Sequence, residues 1–323
     1  MSEPLPHPVA ALLQRTALDG STCLPAAVLT AALPESGLDV CDLSPDGLVP
    51  HPHWGSLEVR IAAAVSALAG RGASQALRLV VAPRGTAARD LSTRAVVVEA
   101  AHTLGLETAL ELFEGLAAEP PGLVVLVGDP ALPYAPGPGR VFADLVASGV
   151  LPVETGAVVD DGPLARLVQA LRDGQLPPID AEQREVVVTA AADAGAAVRR
   201  AVQLVTTSVP REFDIGPHDT LVVTTRVDGA VGAAALRAAL DAAGASAVRT
   251  ATESEPAEAV VLVLAAESAG SITRSLLVGA ATHAARHLSV VHQAGPALAE
   301  AVTHRPHRPR RTRLAALLAA SLT

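Results

Sequence analysis

The sequence has no lysine and no asparagine, so all 24 of its basic residues are arginines. Without lysine there is neither Schiff-base chemistry nor a P-loop built on its lysine. Without asparagine there is no N-glycosylation site and no Cys–His–Asn protease. Cys23 and Cys41 are the only cysteines, too few for a four-cysteine zinc site or a disulfide framework, and they read as reduced thiols. Aromatics make up 2% of the chain. Trp54, Phe113, Tyr134, Phe142 and Phe213 leave little to stack on nucleic-acid bases, a contact worth about 1–3 kcal/mol per base. No apolar run approaches the ~20 residues that span a bilayer. The opening MSEPLPHPVAALLQ has no basic stretch ahead of an apolar one. No membrane partner, no signal peptide and a cytoplasmic location are therefore expected.

Half of the 323 residues are hydrophobic, carried by Ala, Val and Leu. Continuous apolar runs predict strands over 77–82 (LRLVVA), 95–98, 123–127 (LVVLV), 185–189, 221–225, 247–250, 260–265 and 287–291. Helical spacing fills the gaps at 57–69, 103–116, 141–148, 164–172, 193–207, 232–243 and 271–285. Ser56 reads as the N-cap of the first of these. Apolar strands alternating with helices predict an α/β protein with parallel sheets covered on both faces. Short helices at 9–15 and 25–32 precede this pattern and one at 314–322 follows it. The proline-rich stretch 152–178 holds the break between domains. The predicted organisation is an N-terminal helical region, 1–55; two α/β domains, 56–160 and 161–303; and an Arg/Pro-rich tail, 304–323.

Three stretches in this order resemble RecD-like DNA helicases. LVVLVGDP (123–130), followed by GPGRVFADLVASG (137–149), resembles that family's third motif and its downstream helix. LVVTTRVDGAVGAAALRAAL (221–240) resembles the start of its second motor domain, and LLVGAATHAARHLSVV (276–291) its final motif. The resemblance covers roughly residues 55–300 and implies two tandem RecA-like domains of the P-loop NTPase type behind a small helical region.

The same resemblance implies that the catalytic machinery is lost. The family's phosphate-binding loop, Gly-Pro-Pro-Gly-Thr-Gly-Lys-Thr, corresponds to Ala82-Pro83-Arg84-Gly85-Thr86-Ala87-Ala88-Arg89. Ala88 replaces the lysine that pairs with the β/γ-phosphates, and Arg89 replaces the hydroxyl on Mg²⁺. The Asp-Glu pair at the end of the next motif strand corresponds to Glu99-Ala100, and a methyl group cannot orient an attacking water. Gly128-Asp129-Pro130 is retained without the glutamine that should follow. No arginine lies in 154–161, and Thr282-His283-Ala284-Ala285 stands where Thr-Arg-Ala-Arg is expected. An arginine finger alone is worth about 10³–10⁵ in rate. Arg84, Gly85, Thr86, Arg89, Glu99, Gly128 and Asp129 are then a vestigial nucleotide site with no catalytic residue, and ATP and Mg²⁺ are expected to be lost. The implied function is a non-ATPase interaction or regulatory protein with a protein partner. The alternative is a divergent helicase or NTPase in which Arg84 and Arg89 stand in for the lysine, or an enzyme with a repurposed cleft.

Charge weighs against strong DNA binding. Residues 1–150 carry 15 acids and 8 arginines, and residues 151–303 carry 18 acids and 11 arginines, a net −7 each. Phosphate contact requires the opposite sign. The tail concentrates Arg305, Arg308, Arg310, Arg311 and Arg313. It reads first as a solvated segment that balances an acidic body, and second as a contact for DNA or a partner protein. His283 and His287 are four apart at the end of a predicted helix, a spacing that places two imidazoles on one face. With no glutamate after His283 they read as a helix flank rather than a metal site. Asp160-Asp161 reads as a turn.

Overall fold

The computed structural model describes residues 7–32, 47–69, 77–81, 95–119, 121–156, 162–178, 184–251 and 255–322. The chain divides into two compact units, Met1–Ala157 with Pro309–Thr323, and Val158–Arg308. The first unit runs α1 (His7–Leu18), β1 (Cys23–Pro25), α2 (Ala26–Ala32), β2 (Leu48–Pro50), α3 (Pro52–Ala69), β3 (Leu77–Val81), β4 (Ala95–Val98), α4 (Leu106–Ala118), β5 (Leu123–Gly128), α5 (Val141–Ala147) and β6 (Val153–Thr155). The second runs α6 (Pro163–Arg172), β7 (Val186–Ala190), α7 (Ala194–Gln203), α8 (Val209–Phe213), β8 (Thr220–Thr224), α9 (Ala233–Ala242), β9 (Arg249–Ala251), β10 (Ala257–Leu264), α10 (Arg274–His283), β11 (Ala284–His292) and α11 (Ala297–His304). The last helix, α12 (Leu314–Leu322), belongs to the first unit.

Each unit is α/β with a parallel sheet. In the first, the strand order is β4-β5-β3-β6, with Leu79 opposite Leu126 and Val81 opposite Gly128. Leu79 and Leu126 pack with Ile61 of α3, Phe113 of α4 and Phe142 and Leu145 of α5. Leu314 and Leu318 of α12 complete this core and are fully buried. A short antiparallel pair, β1 with β2, holds α1 and α2 over a separate cluster of Val9, Leu13, Leu24, Leu29 and Val49. No strand is expected from the sequence at β2. The strand is three residues long, too short for an alternating pattern to register.

In the second unit the order is β7-β11-β10-β8-β9, parallel throughout. The interior strands β8 (TLVVT) and the end of β10 (VVLVL) are buried on both faces, which is why they read as continuous apolar runs. Asp193 caps α7 by accepting from the Ala196 N–H at 2.7 Å. The expected helix end at Thr207 is not observed. A π turn over Leu204–Ser208 carries the helical path into α8, with the Val209 N–H donating to the Leu204 carbonyl. Pro210 follows, and as the second residue of α8 it has no N–H to satisfy.

Helix α3 begins at Pro52, four residues before the expected cap. His51 is the capping residue: its Nδ1 accepts the N–H groups of His53 (3.2 Å) and Trp54 (3.4 Å). That leaves Nε2 to donate to Gln14 Oε1 at 3.1 Å. Ser56 Oγ instead donates to the His53 carbonyl. Among the described residues no helix is long and apolar enough to cross a membrane.

Candidate functional site

In the first unit the connection leaving β3 runs to the side of β5 and β4, whereas the one leaving β5 crosses to β6 on the far side of β3. The adjacent carboxyl ends of β3 and β5 are thus the point where connections diverge, the usual place for a ligand in an open parallel sheet. Val81 and Gly128 face each other there. Arg84, Gly85, Thr86 and Arg89, and the Asp160-Asp161 pair, lie outside the described residues.

The described residues at this end are engaged with the protein's own atoms. A Cβ on Gly128 would meet Phe142 Cε1 at 2.9 Å and the His102 nitrogen at 3.0 Å, so the glycine admits an aromatic ring and a neighbouring backbone. Asp129 is 2% exposed and its Oδ1 accepts the Ala131 N–H at 2.9 Å, closing a turn on itself. Glu99 is exposed just beyond β4. Ala100 follows in the left-handed region at φ 51°, a conformation that disfavours a residue with a Cβ. Its carbonyl accepts from Thr103, through both N–H and hydroxyl at 2.8 Å. His102 places Nδ1 in a buried position with no hydrogen-bond partner, and burial holds its pKa below the ordinary imidazole value. Glu99, Asp129 and His102 thus differ in exposure, and no cluster of three or more potential metal-ligating His, Cys, Asp or Glu side chains forms among the described residues.

The histidine pair is not on one helical face. Helix α10 ends at His283, and Ala284–Arg286 already belong to β11. His287 is buried on that strand, with Nδ1 3.0 Å from the Arg184 carbonyl and Nε2 2.7 Å from Ser289 Oγ. Phe213 lies 4.6 Å from its ring. Burial pushes His287 down to about 4, so the ring is neutral.

The arginine-rich segment is extended but is not a solvated tail. Arg305 donates to the carbonyls of Ala269 (2.8 Å) and Ala297 (3.0 Å) within the second unit. Arg310 donates to those of Ala135 (2.9 Å) and Gly139 (2.5 Å) within the first, with its guanidinium 5.4 Å from the centre of the Tyr134 ring. The backbone of Arg311 pairs with Ser21 Oγ and the Thr22 N–H, and the Arg313 N–H donates to Glu58 Oε1 at 3.1 Å. Arg308 and Arg311 carry the exposed side chains of the five. Prolines removed helical order here, but the carbonyls that these arginines reach lie up to 175 residues away in sequence and leave no local sign.

Two acids that the sequence reading passed over lie beneath this segment. Glu58 of α3 and Asp144 of α5 are 0% and 1% exposed. Glu58 Oε1 accepts from Thr22 Oγ1 (2.8 Å) and from the Arg313 N–H; Asp144 Oδ1 accepts from Arg140 Nε and Thr312 Oγ1, both at 3.0 Å. A signal for Glu58 was present. It precedes Ile61, Ala62 and Val65 by three, four and seven positions, on the apolar stripe of its helix.

No protein-family model matches the chain, and no curated protein matches it in sequence.

Proposed function

We propose that the chain is a degenerate RecD-like helicase homologue: two tandem RecA-like domains that act without ATP, as a cytoplasmic interaction or regulatory protein with a protein partner. Two α/β units with parallel sheets, in tandem, support the architectural part of this reading. The observation that carries the functional part is the end of β4. Glu99 is followed by Ala100, whose methyl group offers no proton acceptor where the resemblance requires one. The neighbouring Gly128 and Asp129 support it too, because they are occupied by Phe142, His102 and Ala131 of the protein itself. DNA is the weaker partner. The acidic balance opposes phosphate contact, and Arg305 and Arg310 donate to backbone carbonyls.

Thermal melting with ATP, ADP and single-stranded DNA, each with and without Mg²⁺, tests the proposal. No displacement of the midpoint by ATP–Mg²⁺ is expected, since a ligand that does not bind the native state cannot stabilise it. An upward displacement of several degrees would favour a divergent NTPase.

A further inference from the structure

The C-terminal segment closes on the first unit like a clasp, and its polar groups are matched one by one. The Arg311 N–H donates to Ser21 Oγ at 2.9 Å, and the Arg311 carbonyl accepts from the Thr22 N–H at 2.8 Å. Arg310 bonds the 135–139 loop, Thr312 bonds Asp144, and Arg313 bonds Glu58. Leu314 and Leu318 then enter the core beside α3 and α5. Gly20 is cut to fit: its φ is +90°, and a Cβ there would lie 2.6 Å from Arg310 Nε.

The match fails at two atoms. Glu58 Oε2 and Asp144 Oδ2 are buried with no hydrogen-bond partner. An ionised carboxylate with one bare oxygen in a dry site is costly, and two such charges on helices that both pack against α12 repel each other. A proton removes the charge, and with it the repulsion and the larger part of the burial cost. We propose that Glu58 and Asp144 form a proton-linked latch on the C-terminal segment: a proton held by the pair keeps residues 310–322 seated, and its loss to solvent loosens them.

The surroundings agree. Burial pushes Glu58 up to about 7 despite the opposing bonds from Thr22 and from the Arg313 and Leu314 backbone, and the Asp144 charge adds to the rise. Burial pushes Asp144 up to about 6 against the pull of Arg140 and Thr312. The charged and titratable groups around the pair are Arg140, Arg313, and the Tyr134 phenol with Arg310 beside it. Glu107, Glu111 and Glu114 of α4 are exposed, and α12 contains no ionisable side chain. Burial is the main cause at both carboxyls, and the Asp144 charge adds a smaller push at Glu58.

Hydrogen exchange on the full chain, corrected for the intrinsic pH dependence of exchange, reads the latch directly. Protection of residues 310–322 should fall roughly tenfold to hundredfold between about pH 5.5 and about pH 8, while peptides of the second unit, which holds His287, should not lose protection over the same range. Glu58→Gln keeps an acceptor for Thr22 and Arg313 but cannot ionise, so it should hold high protection at both values. Asp144→Asn is the second variant, should the first fail to fold, and should remove part of the dependence. Equal protection of the wild-type segment at both pH values would overturn the proposal, as would an undiminished pH dependence in Glu58→Gln. So would recovery of protection at about pH 8 on adding Mg²⁺ or Ca²⁺, since the bare oxygens would then hold a cation instead of a proton.

Discussion

In the second unit His287 is buried with both ring nitrogens occupied, one by the Arg184 carbonyl and one by Ser289. In the first, Glu58 and Asp144 are buried as deeply, yet each leaves one oxygen bare. Both arrangements disfavour charge, but the histidine is neutral without its proton and the acids are neutral with one. The pKa of His287 falls to about 4, and those of Glu58 and Asp144 rise to about 7 and about 6. The difference shows that burial depth alone does not make a titratable group responsive near neutral pH. Burial moves the titration of the histidine away from neutrality and that of the two carboxyls toward it, so the same depth silences one and poises the others.

The largest expected effect that sharpens this contrast comes from Leu314→Ala. Truncating a fully buried leucine costs about 2–5 kcal/mol, and here it removes the apolar anchor that seats the segment over Glu58 and Asp144. Denaturant unfolding followed by Trp54, which packs against the same core, should show the loss in the first unit. Hydrogen exchange in β8 and β10 should be little changed.

The next effect is opposite pH responses in the two units. Glu58 has a folded value above its unfolded one of 4.5. Its contribution is full below about pH 4.5 and is lost as pH rises through about 7, a swing of roughly 3 kcal/mol for a displacement of that size. His287 has a folded value below its unfolded one of 6.5. Its contribution is full above about pH 6.5 and is lost, by a similar amount, as pH falls through about 4. Exchange protection measured unit by unit from about pH 4 to about pH 8 should therefore fall toward alkali in the first unit and toward acid in the second. Parallel profiles would break the comparison. The smallest effect is expected from Gly20→Ala, about 1–2 kcal/mol from a left-handed backbone and the crowding of Arg310, again read as a lower denaturation midpoint of the first unit.

Much of this fold was open to reading from the sequence, for a physical reason. A strand buried on both faces must be apolar at every position, so LVVLV and VVLVL announce themselves. Elements stabilised by distant partners did not. The start of α3 depends on His51, a residue that capping rules do not favour, held in turn by Gln14. The helical spacing of His283 and His287 was real in sequence but meaningless in space, because the chain leaves α10 between them. At the sheet end, Gly128 and Asp129 could be located as a strand terminus, but only packing reveals that Phe142, His102 and Ala131 occupy them. Glu58 left a local sign on the apolar stripe of α3, but its bond to Arg313 and that of Asp144 to Thr312 come from 255 and 168 residues downstream and left none.

Release of inorganic phosphate from ATP by the purified full-length protein, in the presence of Mg²⁺ and with and without single-stranded DNA, tests the central claim most directly. No release above the uncatalysed background is the expected result, because Ala88 supplies no cation and Ala100 no acid. Sustained turnover at about 1 s⁻¹ or faster, within the range of working enzymes, and lost on substitution of Arg84 and Arg89, would contradict it.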